Sequence, residues 1–437
     1  MYSLIKVKFV KKNLFKIISL NKSTDSILPW CYTEECPSVG EMKGINSKEL
    51  PGLFRPLEIR SLTLKNRLVV SPMCQYSCHN GFLNDWHLVH LGQFAIGGVA
   101  LIIQEATAVQ PNGRISPFDA GLWSDEHMPM TRRIVDFIHS QNCLAGIQLA
   151  HAGRKASTRA PFHQRHNSRN EPMFVTNEDG GWLDNVLAPS QIPFATNYPQ
   201  PKQMSIEQIQ IFKNDFVQSV LRANQCQFDF LEIHAAHGYL INQFLSPSSN
   251  QRNDQYGCFY IFSFDKLISY SFFSGGSFDN RIRLLVELTE VVRQHWPSTK
   301  PLSIRLSCDE WIGEQGWTID DTLRLIPILI QLGVDIIDTS SAGNSTRQQL
   351  PNPLTSQYQI QFSQAIKQSK YGKQILTACV GLIQDVHCAN QIIEQQQGDL
   401  VLMARQFLRD PHFAFQAAKQ LAVQQFSWPP QYQRAKQ

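Results

Sequence analysis

Residues 230–247 read FLEIHAAHGYLINQFLSP. A buried-looking apolar run closes in His234, His237 and Tyr239, and a helix-like run follows. Three readings of the histidines are open. They could be metal ligands, holders of a developing anion beside a proton donor, or residues at a helix start that happen to be histidine. The choice depends on where in the fold the run sits.

Working outward, the same rhythm fills the chain from Leu53 onward. Short β-branched or leucine-rich runs alternate with longer amphipathic stretches, the pattern of strand–helix units. The strand-like runs are 66–72, 99–105, 144–150, 228–234, 302–307, 334–340, 375–380 and 399–404. They are apolar throughout, as strands covered on both faces are. Helices are predicted at 205–225, 281–295, 318–332 and 411–422, the last with Pro411 in its first turn. Eight such units predict an α/β fold, a (β/α)8 TIM barrel over 51–437, with residues 1–50 as an N-terminal extension. A doubly wound open sheet is the alternative. It is weakened because no GxGxxG follows the first strand.

The 437 residues are 43% hydrophobic and carry a net charge of +4, which gives no reason to expect a nucleic-acid or acidic-lipid partner. No apolar run is long enough to span a membrane. Ten scattered cysteines without a CxxC pair read as a reduced, cytoplasmic protein. The leader MYSLIKVKFVKKNLFKIISLNKSTDSILPW (1–30) has lysines, serines and almost no acid. This composition fits an organelle transit peptide and mitochondrial import. Its lack of arginine fits a disordered lysine-rich leader instead.

Barrel enzymes place their chemistry at the C-terminal ends of the strands. Here those ends carry Pro72, Met73, Cys74 and Tyr76; Glu105 and Ala106; Gln148, His151, Arg154 and Lys155; His234, His237 and Tyr239. They continue with Arg305; Ser340, Ser341 and Gly343; Gly381; and Ala404 with Arg405. The ends of strands seven and eight are the usual phosphate site of such barrels. Gly381 would let backbone N–H groups approach an anion, and Arg405 would add a bidentate cation. The bland alternative is a turn glycine and a surface ion pair. Arg305 needs an anionic or electron-rich partner, for which a reduced flavin ring would serve.

The motifs SPMCQYS, EATAV, IQLAHAGRKA, EIHAAHGYLINQFLSPSSN and MAR.FLRDP occur in this order on these strands. Together they resemble the Old Yellow Enzyme family of FMN-dependent NADPH dehydrogenases and ene-reductases, in its bacterial-type, thermophilic-like branch. The resemblance runs from about Leu53 to the C-terminus, one segment apart. It implies FMN held by Pro72, Met73, Cys74, Ala106, Gln148, Arg305, Ser341, Gly381, Ala404 and Arg405, with Cys74 tuning the flavin. It implies an enone substrate reduced with NADPH, lined by Tyr76 and held by His234 and His237, with Tyr239 as proton donor. The tail WPPQYQRAKQ matches the branch's C-terminal signature, which implies a homodimer or homotetramer in which Arg434 reaches a neighbouring active site. The connection 156–204 resembles the family's lid over the substrate mouth.

This set suits reduction of an activated C=C bond. Negative charge develops on the carbonyl oxygen, two imidazole N–H groups hold it, and a tyrosine remains protonated at neutral pH to give the last proton. The competing reading is a metal-dependent hydrolase barrel with His234 and His237 as zinc ligands at i,i+3, completed by Glu105 or His151. It would leave the phosphate features unexplained. A third reading is a barrel that binds without reacting. No CxxCxxxC run occurs in the last third, which disfavours iron–sulfur relatives.

One segment departs from the family pattern. After SSNQRNDQYG the family continues directly to GSFDNR, but here CFYIFSFDKLISYSFFSG (258–275) intervenes. It is too interrupted to span a membrane and too apolar for a comfortable loop. The clean join on either side reads as an unspliced intron or another gene-model error.

Overall fold

The structure, a computed structural model, describes residues 38–42, 44, 46–163, 172–257 and 277–436. The lysine-rich leader and the 258–275 segment therefore lie outside the described residues. Eight parallel strands close into a barrel: β1 Leu68–Val70, β2 Leu101–Ala108, β3 Leu144–Ala150, β4 Phe230–Ala235, β5 Leu302–Ser307, β6 Ile336–Ser340, β7 Leu376–Val380 and β8 Leu400–Met403. Each pairs with its sequence neighbours, and β8 pairs with β1 to complete the ring. The predicted barrel is thus observed, and the open sheet is excluded.

Among the described residues, eight helices of eight or more residues flank the strands: α1 Asp85–Ile96, α2 Met128–Ser140, α3 Ile206–Gln225, α4 Phe278–His295, α5 Ile319–Gln331, α6 Gln357–Gln368, α7 Val386–Glu394 and α8 Phe413–Gln420. Five of these starts are capped by a polar side chain. Ser205 opens α3 by accepting from Gln208 N–H, and Thr318 opens α5 by accepting from Asp321 N–H. Pro411 lies just before α8 rather than in its first turn, because Asp410 Oδ1 accepts from His412 N–H and holds a turn there.

A short hairpin, Leu57–Ile59 with Leu62–Leu64, closes the N-terminal end of the barrel. Its Ile59 and Leu64 pack with Val69, Leu101, Phe230 and Leu400 from the strands. The compact body begins at Ser38 rather than after residue 50. Val39 and Leu50 are buried, and Gly40 N–H donates to Ser427 O at 2.8 Å. This stretch has no periodicity of its own; contacts with the far end of the chain hold it.

Two further features frame the mouth. The long connection after β3 is fastened by the buried Arg252, whose Nη1 donates to Pro189 O at 3.0 Å and Met204 O at 2.7 Å while its Nε lies 3.0 Å from Asp254 Oδ1. On either side of the 258–275 segment the chain is tied together: Asn280 Nδ2 donates to Gly257 O at 2.9 Å, and Arg283 Nε to Gln255 O at 2.8 Å. Among the described residues no helix is long and apolar enough to cross a membrane.

Candidate active site

The strand register builds the site. His234 on β4 stands beside Arg305 on β5, and Arg305 beside Asp338 on β6. Paired residues on parallel strands point the same way, so these three form one row across the lumen. One pair deeper, Gln148 on β3 faces Glu232 on β4, which faces Ser303 on β5.

His234 is buried, and its Nδ1 accepts the N–H of Ala236 at 3.2 Å. Nδ1 is therefore unprotonated and the neutral ring carries its proton on Nε2. Burial, with the charges of Arg305 and Lys155, holds the imidazole pKa well below its ordinary range. His237 adopts φ +59°, and its Nε2 lies 2.7 Å from Ser340 Oγ. Its pKa is lowered by the same surroundings, with His234 adding to the effect. The His234 ring lies edge-to-face with both His237 and Tyr239, at centroid separations of 5.1 and 5.0 Å.

The tight turn between them depends on Gly238, which has φ +70°; a Cβ there would collide with Gly343 O. Lys155 Nζ donates to the carbonyls of His237 and Gly343 and so clamps the same turn. Burial and neighbouring Arg154 bring its pKa down to about 7. Tyr239 precedes the short helix Leu240–Leu245, and its phenol pKa is raised well above the ordinary value by desolvation.

Beside His237 opens a cavity of about 300 Å3 that gathers Arg305, Ser341, Gly381, Ala404 and Arg405 from the expected set. Arg409, Tyr358 and Gln359 also line it, and among the described residues no carboxylate does. Gly381 has φ +108°, and a side chain there would press on the Gln359 amide. Ser341 Oγ donates to Gln359 Oε1 at 3.0 Å, and Gln359 Nε2 donates to Val380 O at 2.8 Å. Three guanidiniums around a glycine-floored cavity suit an anionic ligand with a flat polar body. The residues present thus fit FMN.

The remaining expected residues are not among those that line this cavity. Pro72, Met73 and Cys74 follow β1. A register shift in β2 between Gln104 and Thr107 falls at Glu105 and Ala106. Glu105 Oε2 accepts from Gln75 N–H at 2.9 Å, and the Ala106 N–H lies against the Cys74 sulfur. Burial, with Glu105 and Asp119 nearby, pushes the Cys74 thiol pKa up, so it is a thiol rather than a thiolate at neutral pH. Tyr76, at φ +50°, packs edge-on to Phe162 at 6.2 Å. Gln148 Nε2 donates to Glu232 Oε1 at 2.8 Å. Arg434 is not brought to the site within this chain: it is exposed, on the turn Pro430–Ala435.

The zinc alternative lacks a ligand set. Among the described residues no group of three or more His, Cys, Asp or Glu side chains could hold a metal ion. Gln359 and Arg409 were not legible as site residues, because α6 and the segment after β8 bring them in only through folding. Glu232 and Asp338 did carry a signal, each being a charge inside an otherwise apolar strand.

A parallel barrel whose mouth joins paired imidazoles and a phenol to an arginine-rich cavity defines a flavin oxidoreductase. The profile of the NADH:flavin oxidoreductase / NADH oxidase family matches residues 52–260 and 273–424. The chain belongs to this family, the Old Yellow Enzyme family of the resemblance above, and is an FMN-dependent oxidoreductase. It is 38% identical over 406 residues to an NADH:flavin oxidoreductase of Gibberella zeae, covering 91% of each chain. It is 37% identical over 386 residues to the NADPH dehydrogenase of Bacillus subtilis, covering 87% of this chain and 98% of that one. Among solved structures, morphinone reductase superposes with a TM-score of 0.62 at 21% identity, over 86% of this chain and 91% of that one. The chain spans about half of 2-naphthoyl-CoA reductase, with a TM-score of 0.71 at 20% identity over 86% of this chain and 53% of that one. The two stretches matched by the family profile leave out 261–272, inside the anomalous segment.

Proposed function

We propose that the enzyme uses NADPH to reduce the activated C=C bond of α,β-unsaturated carbonyl compounds. Arg305, Gly381 and Arg405, with Gln148, Ala106 and Ser341, would hold FMN, whose chemistry when bound would be hydride transfer between NADPH and the substrate's β-carbon. His234 Nε2–H and a ring N–H of His237 hold the carbonyl oxygen as negative charge develops there. Both imidazoles remain neutral, so they donate without bringing a charge that would bind the product too well. Tyr239 gives its proton to the α-carbon, and its raised pKa keeps that proton on the phenol until the carbanion forms. Tyr76 shapes the pocket, and in a dimer or tetramer the tail would bring Arg434 to a neighbouring copy's mouth.

The observation that carries this reading is the His234–His237–Tyr239 cluster, with a fixed Nε2–H, beside the arginine-rich cavity. The test is the visible spectrum of the purified full-length protein. Flavin bands that bleach with NADPH and return with cyclohex-2-enone support it. Bands that bleach but do not return with any enone offered, while oxygen restores them, would sink enone reduction and leave a flavin oxidase.

A further inference from the structure

Two carboxylates are buried in the barrel lumen just behind the mouth, and the chemistry above uses neither. Asp338 is fully buried, with its Oδ2 3.1 Å from Arg305 Nε. Among the described residues neither of its oxygens accepts a hydrogen bond, so this ion pair is what keeps the carboxylate in the lumen. Glu232 is also buried but well hydrogen-bonded: Oε1 accepts from Gln148 Nε2 at 2.8 Å and Oε2 from Ser303 Oγ at 3.0 Å.

Each carboxylate contacts one side chain of the expected flavin set. Arg305, which lines the cavity, donates from Nη1 to Ser71 Oγ at 3.3 Å, while its Nε makes no hydrogen bond among the described residues and is drawn to Asp338 by charge alone. An amide has a donor end and an acceptor end. With Nε2 given to Glu232, the carbonyl end of Gln148 is the one turned away from it. The row His234–Arg305–Asp338 and the row Gln148–Glu232–Ser303 stack one above the other, so the two contacts fall at neighbouring points of the lumen.

We propose that Asp338 and Glu232 are positioning residues for the flavin: Asp338 aims and partly neutralises the Arg305 guanidinium, and Glu232 selects which end of the Gln148 amide meets the cofactor. This rests on the reading of Arg305 and Gln148 as flavin-holding residues. The charge balance supports it. Burial pushes both carboxyl pKa values up, and for Glu232 the charge of Asp338 adds to this, while Arg305 opposes it in both. One cation thus faces two carboxyls, and the repulsion between them favours a proton on one of the two.

The test is a redox titration of the purified holoenzyme against a reference dye, together with FMN retention on dilution. Asp338→Asn leaves the Arg305 charge uncompensated, so the reduced, more negative flavin is favoured and the midpoint potential moves upward. Asp338→Glu restores the charge and returns the potential toward wild type. Glu232→Gln sets a second amide against Gln148, and FMN affinity falls about tenfold, the scale of one hydrogen bond to a buried group.

Arg305→Met and Gln148→Leu are the reference variants. If they change potential or affinity while Asp338→Asn and Glu232→Gln do not, the positioning roles are wrong and the flavin reading stands. If none of the four changes either quantity, both fall. Should Asp338→Asn fail to fold, Asp338→Ser, which also removes the charge, is measured in its place. An unchanged potential there would overturn the role of Asp338.

Discussion

The backbone N–H of Ala236 donates to Nδ1 of His234, two residues earlier in the chain. The strand end therefore sets the tautomer of the ring that it carries. The arrangement needs no second side chain, because the backbone leaves its extended path just after β4 and turns back on the imidazole. His234 thus enters the site with its one N–H already on the outer nitrogen.

Replacing His234 with Ala should remove one of two donors to the carbonyl oxygen. The enone half-reaction should slow on the order of a hundredfold, while flavin reduction by NADPH remains within a few-fold of wild type. Stopped-flow measurement of each half-reaction under anaerobic conditions separates them. A reoxidation rate like wild type would mean that His234 does not face the oxygen.

Tyr239→Phe keeps the ring packed against His234 and removes only the hydroxyl. Reoxidation by cyclohex-2-enone should fall by a hundredfold or more, within the range assigned to general acids. Flavin reduction should be retained. Equal loss in both half-reactions would assign Tyr239 to the flavin pocket rather than to proton delivery.

His151 gives the molecule a predictable acid sensitivity. It is buried against Phe212, its Nδ1 accepts from Gly153 N–H at 3.0 Å, and burial lowers its pKa from 6.5 to about 3. A depressed folded-state value means that its stabilisation is full above about pH 6.5 and is lost as pH falls from there through about 3, by up to about 1.4 kcal/mol per pH unit. His151→Gln should be less stable than wild type at pH 7, and the gap should narrow at pH 5.5 and again at 4.5. Urea midpoints at the three pH values check this. A constant gap would mean that His151 does not titrate on unfolding.

Deleting 258–275 should leave the enzyme yellow and active. The two sides of the segment are already joined by Asn280 to Gly257 and by Arg283 to Gln255, so the shorter chain has both ends in place. Loop-closure entropy changes only slowly with length, so stability should move by no more than about 2 kcal/mol. Soluble yield should rise, because an aromatic, β-prone run has been removed. A colourless deletion variant beside a yellow full-length protein would show that the segment belongs to the fold. Sequencing the transcript is the independent check on the intron reading.

The fold was legible because buried parallel strands are written as unbroken apolar runs, and eight of them stand in the sequence from Asn66 to Ala404. Their ends were less legible. The first run extends over 66–72 in the sequence but pairs only over Leu68–Val70, because Asn66 is turned to accept from Leu68 N–H. The hairpin at 57–64 escaped notice because three-residue strands carry no periodic signal. The His234–His237–Tyr239 cluster could be read from one contiguous motif. Asp338 and Glu232 could not be placed, since their roles depend on the register between strands, which no local pattern states. Gln359 was beyond reach for the same reason: it meets Ser341 and Val380 only after α6 docks.

The hairpin that seals the far end of the barrel has a kinetic meaning. With Ile59 and Leu64 packed among the strand residues at that end, a donor and an acceptor of electrons that both used the mouth would have to call in turn. Under the proposed reduction of enones by NADPH, an excess of either visitor would then delay the other.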